Sequence, residues 1–358
     1  MTHWPRPLML LGFLAFSATG CSKTEPAAEK PAVASATPAP SAAAPAPPPT
    51  PTGPALKIAY SDWPGWVAWD IGIQKGWFKD AGVNVEFVWF EYVPSMEAFT
   101  AGKVDAVTMT NGDALVTGSS GAPSSCIVAN DYSNGNDMVI ARPGIKSLAD
   151  LKGKKVGVEV GFVSHLLLIN AFKSVNLTID DVKLVNMPTD QTPQALKSGK
   201  VDAIAAWQPN TGQALKEVAG STAVFTSKNV PGLIYDLLCV NPKSLAERRA
   251  DWTKVVEVWF KIAEFLDDQK NWDEAAKIMS PRVHLAPDEY KKLMGGTFYL
   301  NKKENIARYK KGEGLDSIFG SSKAVDKFQV DNKVYKKPIQ YEGFFDPSII
   351  EAIGKGGS

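Results

Sequence analysis

Short apolar runs alternate with helix-like patterns between residues 58 and 113, and this alternation predicts a recurring unit of strand, turn and helix. Strands are predicted at residues 58–60 and 85–90, and each ends in a turn rich in polar and aromatic side chains. Pro64 suits the first turn of the first helix, and Gly76 suits its end. Alternating strands and helices favour a parallel sheet, which binds ligands at the carboxyl ends of its strands.

The same unit occurs a second time further along the chain. Residues 98–106 are echoed by residues 195–203, and Asp105 has the same place in the first copy as Asp202 in the second. A repeated unit predicts two similar α/β lobes. Two such lobes joined by a hinge can close a cleft around a small molecule, and the two aspartates are predicted to be structural.

The turn and strand signals also predict how the two lobes divide the chain. Lobe one is predicted to comprise residues 55–142 and 236–358, and lobe two residues 143–235. The breaker sequence at residues 142–144 is interpreted as the first crossover between the lobes. From residue 243 onward, apolar side chains recur at helical spacing and predict helices that pack on the back of lobe one.

The N-terminal residues have the pattern of a processing signal. Arg6, a short apolar run and small residues precede Cys21, so residues 1–20 resemble a lipoprotein signal peptide with Cys21 as the lipidated first residue. Ala18 stands where such signals usually have leucine, and a plain secretory signal is the alternative. Residues 21–54 are rich in proline and alanine and predict an extended tether. We therefore expect a protein on the periplasmic or extracellular face, held to the membrane through its lipid anchor only.

Charge and cysteine content narrow the possible functions. Without Arg6 the mature chain has 38 basic residues (39 less one) against 38 acidic residues, so a nucleic-acid partner is not expected. No metal-type spacing of Cys and His exists, and neither a metal nor another cofactor is predicted. Cys126 and Cys239 lie in apolar runs, and we favour two buried thiols over a disulfide.

The predicted strand ends carry the candidate binding residues. They are Asp62, Trp63, Trp66, Glu91, Tyr92, Asn111 and Asp113 in lobe one, and Phe162, Trp207 and Gln208 in lobe two. Lysine and arginine do not occur in these turns. Some of the polar residues also have a structural interpretation, since Asp62, Asn111 and Asp113 precede helices and could be N-caps.

This mixture of carboxylates and aromatic rings favours a small planar cation. Such a ligand would form a charge-assisted hydrogen bond to Glu91 or Asp113 and a cation–π contact with a tryptophan. Glu91 is the most informative carboxylate, because it ends an apolar strand where an acid is costly unless exposed or paired. An anion held by helix N-termini remains the alternative.

Several segments together resemble the substrate-binding proteins of ABC importers in the nitrate, taurine, alkanesulfonate and thiamine-precursor family. The segments are residues 57–59, 74–78, 102–106, 151–158 and 206–209. The resemblance implies the two-lobed periplasmic binding protein fold (type II-like) with a hinge and C-terminal helices. It also implies an ABC permease as partner and a binding rather than a catalytic role.

A denser set of segments is similar to one branch of that family. Residues 63–66, 89–92, 110–113 and 131–137 resemble the branch associated with urea carboxylase, which implies guanidine or a urea-like solute. The alternatives are an anion such as nitrate, taurine or an alkanesulfonate, and a thiamine-type pyrimidine. An enzyme similar to thiamine-pyrimidine synthases is the alternative class, but the cysteine-rich segment of those enzymes does not occur here.

Overall fold

The computed structural model describes residues 53–356. The predicted signal peptide, Cys21 and the tether up to residue 52 lie outside the described residues. The eleven strands of the described part are β1 Leu56–Tyr60, β2 Val85–Trp89, β3 Ala106–Thr110, β4 Ser125–Ser133, β5 Asp137–Ala141, β6 Lys155–Val158, β7 Lys183–Asn186, β8 Ala203–Trp207, β9 Thr222–Thr226, β10 Tyr235–Val240 and β11 Thr297–Tyr299.

The α-helices of the same part are α1 Pro64–Val67, α2 Trp69–Gln74, α3 Trp77–Asp80, α4 Tyr92–Thr100, α5 Asn111–Ser119, α6 Val163–Lys173, α7 Thr192–Lys197, α8 Asn210–Glu217, α9 Pro242–Glu247, α10 Arg249–Asp267, α11 Trp272–Met279, α12 Pro287–Met294, α13 Lys302–Arg308, α14 Ile318–Asp331 and α15 Ser348–Lys355. Short 3-10 turns lie at Leu148–Leu151, Ile179–Asp181, Thr189–Gln191, Ser227–Asn229, Gln269–Asn271, Ser280–Val283 and Tyr341–Phe344. Within residues 53–356, none of the helices combines the length and apolarity needed to span a membrane.

Two mixed sheets organise these elements, and the predicted α/β class is confirmed. The first sheet has the strand order β11-β4-β10-β3-β1-β2, and the second has the order β7-β6-β8-β5-β9. In each sheet a central strand pairs in parallel with two others: β1 with β2 and β3, and β6 with β7 and β8. Each sheet is extended by antiparallel strands that follow a crossover of the chain, β10 in the first and β5 in the second.

The two repeated aspartates tie neighbouring strands together in the same way. The Lys57 backbone N–H donates to Asp105 Oδ2, and the Lys155 backbone N–H donates to Asp202 Oδ2, each at 2.8 Å. Asp105 and Asp202 also donate their own backbone N–H to the carbonyls of the same two lysines, again at 2.8 Å. The predicted structural role of both aspartates is confirmed.

The position of β5 corrects the sequence interpretation. Residues 138–141 were predicted to end lobe one, but β5 pairs with β8 and β9 of the second sheet. The chain therefore crosses between the sheets at residues 134–136, and the turn at residues 142–144 only ends β5. Hydrogen bonds fix this crossover, because the Ser227 hydroxyl contacts Ser133 Oγ and accepts from the Gly135 N–H, each at 2.7 Å.

The predicted C-terminal helices cover the outer side of the first sheet. Helix α10 packs against α2, α3 and β4, and its apolar stripe is buried as the spacing predicted. Trp259 of α10 lies 4.9 Å from Trp69 of α2, measured between ring centroids. Trp69 is fully buried, so the prediction that it belongs to the core is confirmed.

The predicted pair of free thiols is wrong, because Cys126 and Cys239 form a disulfide. The two residues face each other across the antiparallel pair β4 and β10. They are separated by 113 residues of sequence. Only the three-dimensional pairing of these strands brings the two thiols together.

Candidate functional site

A small inner cavity lies where strand ends of the two sheets meet. The volume that the centre of a water molecule can occupy in this cavity is about 10 Å³. The cavity therefore has room for roughly one water. The lining residues come from both sides of the cleft and are Trp63, Trp66, Tyr92, Thr110, Asp137, Val163, Trp207, Ile234 and Asp236.

Four aromatic side chains form one continuous wall of this cavity. The rings of Trp66 and Tyr92 are stacked with their centroids 5.1 Å apart, and Trp63 lies 6.5 Å from Trp66. Trp207, from the second sheet, meets Tyr92 edge to face at 5.3 Å. The structure thus brings together the four aromatic residues that the turns predicted in two separate lobes. Electron-rich ring faces of this kind attract cations.

Buried carboxylates form the rest of the inner site. Asp137 and Asp236 line the cavity, with Asp131 and Asp113 close by. Asp131 Oδ1 accepts from Trp63 Nε1 at 2.9 Å, and Asp113 Oδ2 accepts from the Tyr92 hydroxyl at 2.6 Å. The second oxygens of Asp113 and Asp131, and Oδ2 of Asp236, have no hydrogen-bond partner although they are buried.

Among residues 53–356, no basic side chain compensates these acids. The ion pairs found among residues 53–356 all lie elsewhere. Burial consequently raises the pKa of Asp113 to about 6, of Asp137 to about 7 and of Asp131 to about 8. Burial, followed by repulsion from Asp131, raises the pKa of Asp236 well above its usual value. Burial thus disfavours the charged form of these carboxylates, and a bound cation would stabilise it.

A second, outer cleft of about 360 Å³ opens beside the aromatic wall. Its lining includes five carboxylates, Asp62, Glu91, Glu97, Glu159 and Asp190. Burial raises the pKa of Asp62 to about 6 and of Glu159 to about 7. The outer cleft is therefore lined by acids from its mouth inward, and burial disfavours the charged form of the inner ones.

Asp62 also connects the two sides of the cleft. It follows β1 of the first sheet, and it accepts hydrogen bonds from Trp207 Nε1 at 3.0 Å and from Asn210 Nδ2 at 3.1 Å, both on the second-sheet side. With the ring contact between Tyr92 and Trp207, these bonds hold the lobes together over the inner cavity.

Other predicted site residues have different positions. Glu91 lies at the exposed mouth of the outer cleft rather than beside the inner cavity. Phe162 precedes α6 and does not line either space. Gln208 Oε1 accepts from the Gly212 N–H at 3.0 Å and so supports the first turn of α8. These contacts give Gln208 a structural role.

Asn111 is likewise used by the fold. Its Oδ1 accepts from the Tyr235 N–H at 3.1 Å, and its Nδ2 donates to Ser321 and Ser322 of α14 at 3.0 and 3.2 Å. The amide is fully buried and already bonded at both atoms, so the geometry does not offer it to a ligand.

Three inner carboxylates were not among the predicted site residues: Asp131, Asp137 and Asp236. Asp131 and Asp236 lie within strands whose other side chains are mostly apolar. An acid in such a strand is costly unless it is paired, which is the same reasoning that singled out Glu91. Asp131 and Asp236 thus carry the same sequence signal as Glu91, an acid in an otherwise apolar strand. No group of three or more His, Cys, Asp or Glu in the part of the chain that the structure describes is arranged to hold a metal ion.

Comparison with known proteins identifies relatives for most of this part of the chain. Residues 49–280, well over half of the 358-residue chain, match the NMT1-like family. A Brucella abortus protein named as a binding protein is 29% identical over 185 residues, which cover 49% of this chain and 57% of the relative. The chain thus spans little more than half the length of that relative. A Bacillus subtilis protein named for binding aliphatic sulfonates is 26% identical over 75% of this chain and 84% of its own length.

Solved structures show the same fold at lower identity. The alkanesulfonate-binding protein SsuA from Xanthomonas axonopodis pv. citri, bound to MOPS, is 15% identical with a TM-score of 0.68, covering 83% of this chain and 100% of that protein. The desulfurization enzyme DSZB is 14% identical with a TM-score of 0.62, covering 84% and 99%. The fold is therefore compatible with binding and with catalysis, and the site must decide between them.

Proposed function

The chain belongs to the NMT1-like family, and on that premise we propose that it is a lipid-anchored, extracytoplasmic solute-binding protein of an ABC importer that captures a small planar cation of the guanidinium type. Cys21 would carry the lipid, and an ABC permease would receive the solute. The aromatic wall and the acids of the inner cavity would form the binding site.

The observation that carries this proposal is the cluster of buried acids around the aromatic wall, which has no basic partner. Asp113, Asp131, Asp137 and Asp236 are buried within one small region, and none of them has a basic partner. Leaving charged carboxylates buried without a counterion is expensive. A bound cation would supply the missing positive charge, and the aromatic faces would add cation–π attraction of about 0.5 to 2 kcal/mol.

The hydrogen-bonding capacity of the site supports a guanidinium ion over urea. The unpartnered carboxylate atoms, which include Asp131 Oδ2 and Asp236 Oδ2, are acceptors, whereas Trp66 Nε1 is the unpartnered donor of the aromatic wall. A guanidinium ion has only N–H donors, so it matches an acceptor-rich site. Urea could direct its carbonyl to Trp66, but it would leave the carboxylates without a counterion.

An anionic ligand is the second candidate, because one relative is named for binding aliphatic sulfonates. Anions are usually held by arginine forks or helix N-termini. In this site the helix α5 begins beside the buried Asp113, whose own N–H donates to Thr110 Oγ1 at 3.1 Å. The acids would repel a sulfonate or nitrate, so the electrostatics favour the cation.

The lining of the inner cavity also favours binding over catalysis. Its polar side chains are aspartates, the Tyr92 hydroxyl and the Thr110 hydroxyl, and Thr110 is already used to cap α5. Nucleophilic catalysis needs a nucleophile aligned with a base and an orienting group. The described lining offers carboxylates and aromatic faces instead.

Isothermal titration calorimetry of the purified protein with guanidinium, urea, nitrate and an alkanesulfonate tests the proposal. We expect guanidinium to bind most tightly, and Asp236→Asn to weaken it at least about tenfold, since a charge-assisted contact is worth about 1.5 kcal/mol or more. Glu91→Gln is the matched control at the exposed mouth, where screening limits the change to a few-fold. Binding of a sulfonate or nitrate with no response to guanidinium would contradict the proposal.

A further inference from the structure

Two of the inner carboxylates form a cross-strand pair. Asp131 of β4 and Asp236 of β10 are direct partners in the antiparallel register. Asp236 lines the cavity, and Asp131 lies behind it with one oxygen bound to Trp63 Nε1. Oδ2 of Asp131 and Oδ2 of Asp236 have no hydrogen-bond donor while both carboxyls are ionised, and both side chains are at least 98% buried. The two carboxyls are close enough to hydrogen-bond to each other once one of them is protonated.

The surroundings of the pair add negative charge and no positive charge. Asp137 of β5 faces both members, and Asp113 of α5 faces Asp236. From β11 and α12, Tyr299 and Tyr290 face Asp131. Burial raises the pKa of each of these tyrosines well above its usual value, so their hydroxyls remain neutral. No described lysine, arginine or histidine acts on either member of the pair.

Two adjacent carboxyl groups in a dry site cannot both ionise at low cost. A proton shared between them removes one negative charge and supplies the donor that two facing carboxylates lack. The raised pKa of Asp131, about 8, and the raised pKa of Asp236, which burial and repulsion from Asp131 cause, agree with this geometry. At neutral pH the pair without a ligand therefore retains a proton.

We propose that the Asp131–Asp236 pair exchanges this proton for the bound cation, so that solute capture releases one proton to solvent. This inference rests on the proposed function, because it assumes a cationic ligand in the inner cavity. In the exchange a carboxyl O–H bond breaks, the proton passes to buffer, and the cation takes over the neutralising role. No electrons are transferred, and the net charge of the occupied cavity is unchanged.

The exchange explains how the site could distinguish guanidinium from urea of nearly the same shape. A neutral molecule cannot replace the proton, so the pair would keep it and urea would gain only uncharged hydrogen bonds. The exchange also determines how the association constant for the cation depends on pH. Below the pH at which the pair loses its proton, release of one proton per ligand makes the association constant rise tenfold per pH unit.

The test is calorimetry of guanidinium binding to the full chain at pH 7 in phosphate and in Tris, whose ionisation enthalpies differ. The difference between the two observed heats gives the number of protons released, and we expect about one. Asp236→Asn should bring this number close to zero while weak binding remains, because a single carboxylate has no partner with which to share a proton. Asp180→Asn, at an exposed aspartate that lines neither the inner cavity nor the outer cleft, is the control and should leave it at one.

A second variant separates the pair from its acidic neighbour. Asp137→Asn should still release a proton, whereas loss of release in Asp137→Asn and its retention in Asp236→Asn would overturn the assignment. For the unmodified protein, the logarithm of the association constant should rise with a slope of at least one between pH 5.5 and 7, because Asp137 and Asp113 can add to the release. Guanidinium binding with no proton release would overturn the exchange and leave the proposed function intact. Sulfonate binding without guanidinium binding would overturn both.

Discussion

At the scale of single residues, Gly65 shows how closely the proposed binding site depends on the fold. A Cβ atom at this position would lie 1.7 Å from Asp131 Oδ2 and 2.4 Å from its Cγ. Helix α1 can therefore approach the buried carboxylate only because residue 65 has no side chain. The same approach places Trp63 and Trp66 on either side of Gly65, where both line the cavity.

Gly65→Ala is accordingly expected to impair both binding and stability. The added methyl group must displace Asp131, which breaks the hydrogen bond to Trp63 and disturbs the pair with Asp236. We expect guanidinium affinity to fall at least about tenfold and the free energy of unfolding to fall by about 1 to 3 kcal/mol, as for other overpacked sites. Calorimetry and urea denaturation measure the two effects.

Gly343→Ala is the matched control for this substitution. A Cβ atom at Gly343 has no neighbour within 4 Å, so the same chemical change should leave affinity and unfolding unaltered. Wild-type behaviour of Gly65→Ala would show that Asp131 does not lie against α1.

Also at this scale, the sequence predicted the aromatic half of the site better than the acidic half. Trp63, Trp66 and Tyr92 lie in the turns after β1 and β2. They could be predicted because the end of a strand is visible in the local sequence pattern. Asp236 lies at the start of β10, and its neighbour Asp131 is 105 residues earlier (236 less 131). A cross-strand pair of this kind depends on register, which local patterns do not specify.

At the scale of secondary-structure elements, the repeated aspartates explain why the same short segment occurs twice. Asp105 and Asp202 each precede a buried strand and bind the backbone of the strand beside it. Each aspartate forms two hydrogen bonds to the backbone of one lysine, one through its carboxylate and one through its own N–H. These bonds fix the position at which the two parallel strands begin to pair. Similar local chemistry therefore produces similar sheets in both lobes.

Asp105→Ala and Asp202→Ala should each lower the free energy of unfolding by about 1 to 2 kcal/mol, because each removes a charge-assisted hydrogen bond that is partly exposed. Guanidinium affinity should change little, since neither residue lines the cleft. Urea denaturation monitored by circular dichroism provides the measurement. Asp180→Ala, at an exposed aspartate whose side chain forms no hydrogen bond or ion pair, should have no effect. Equal stability of all three variants would refute the structural role.

The position of the first crossover and the disulfide were the two features that the sequence analysis predicted wrongly. Arg142, Pro143 and Gly144 are strong turn signals, and they do end a strand, but a turn signal carries no information about which sheet that strand joins. Cys126 and Cys239 likewise depend on the pairing of β4 with β10. Both errors come from long-range pairing, whereas the helices and most strands follow from local periodicity.

At the scale of the whole molecule, closure of the two lobes buries carboxylates without a counterion, and a bound cation would supply that counterion. The lobes meet through Trp207 and Asp62, and through an exposed ion pair of Lys216 with Glu289 at 2.7 Å. Such an exposed pair contributes little. Closure without a ligand keeps the carboxylates together in a dry space, so a cation bound there would favour the closed state through its charge.

The same charge cluster should make the ligand-free protein less stable as pH rises. The pKa values of Asp62 and Asp113 are raised to about 6, of Asp137 to about 7 and of Asp131 to about 8, above the ordinary value of 3.8. Between pH 4 and 8 the folded state therefore binds more protons than the unfolded state, and stability is lost as pH rises through these values. His165 acts in the opposite direction below its ordinary pKa of 6.5, because burial lowers its pKa, but it is a single group against the whole cluster of carboxyls.

We expect the melting temperature without ligand to be about 5 °C higher at pH 5.5 than at pH 8, since about 1 kcal/mol shifts the melting of a domain of this size by about 2 °C or more. Circular dichroism melts at the two pH values measure the difference. Asp236→Asn should reduce it, because the variant removes one buried acid, and millimolar guanidinium should raise the melting temperature most at pH 8. A melting temperature that rises with pH in the ligand-free protein would mean that these carboxylates are already compensated in solution, and the cation would then have no charge to neutralise.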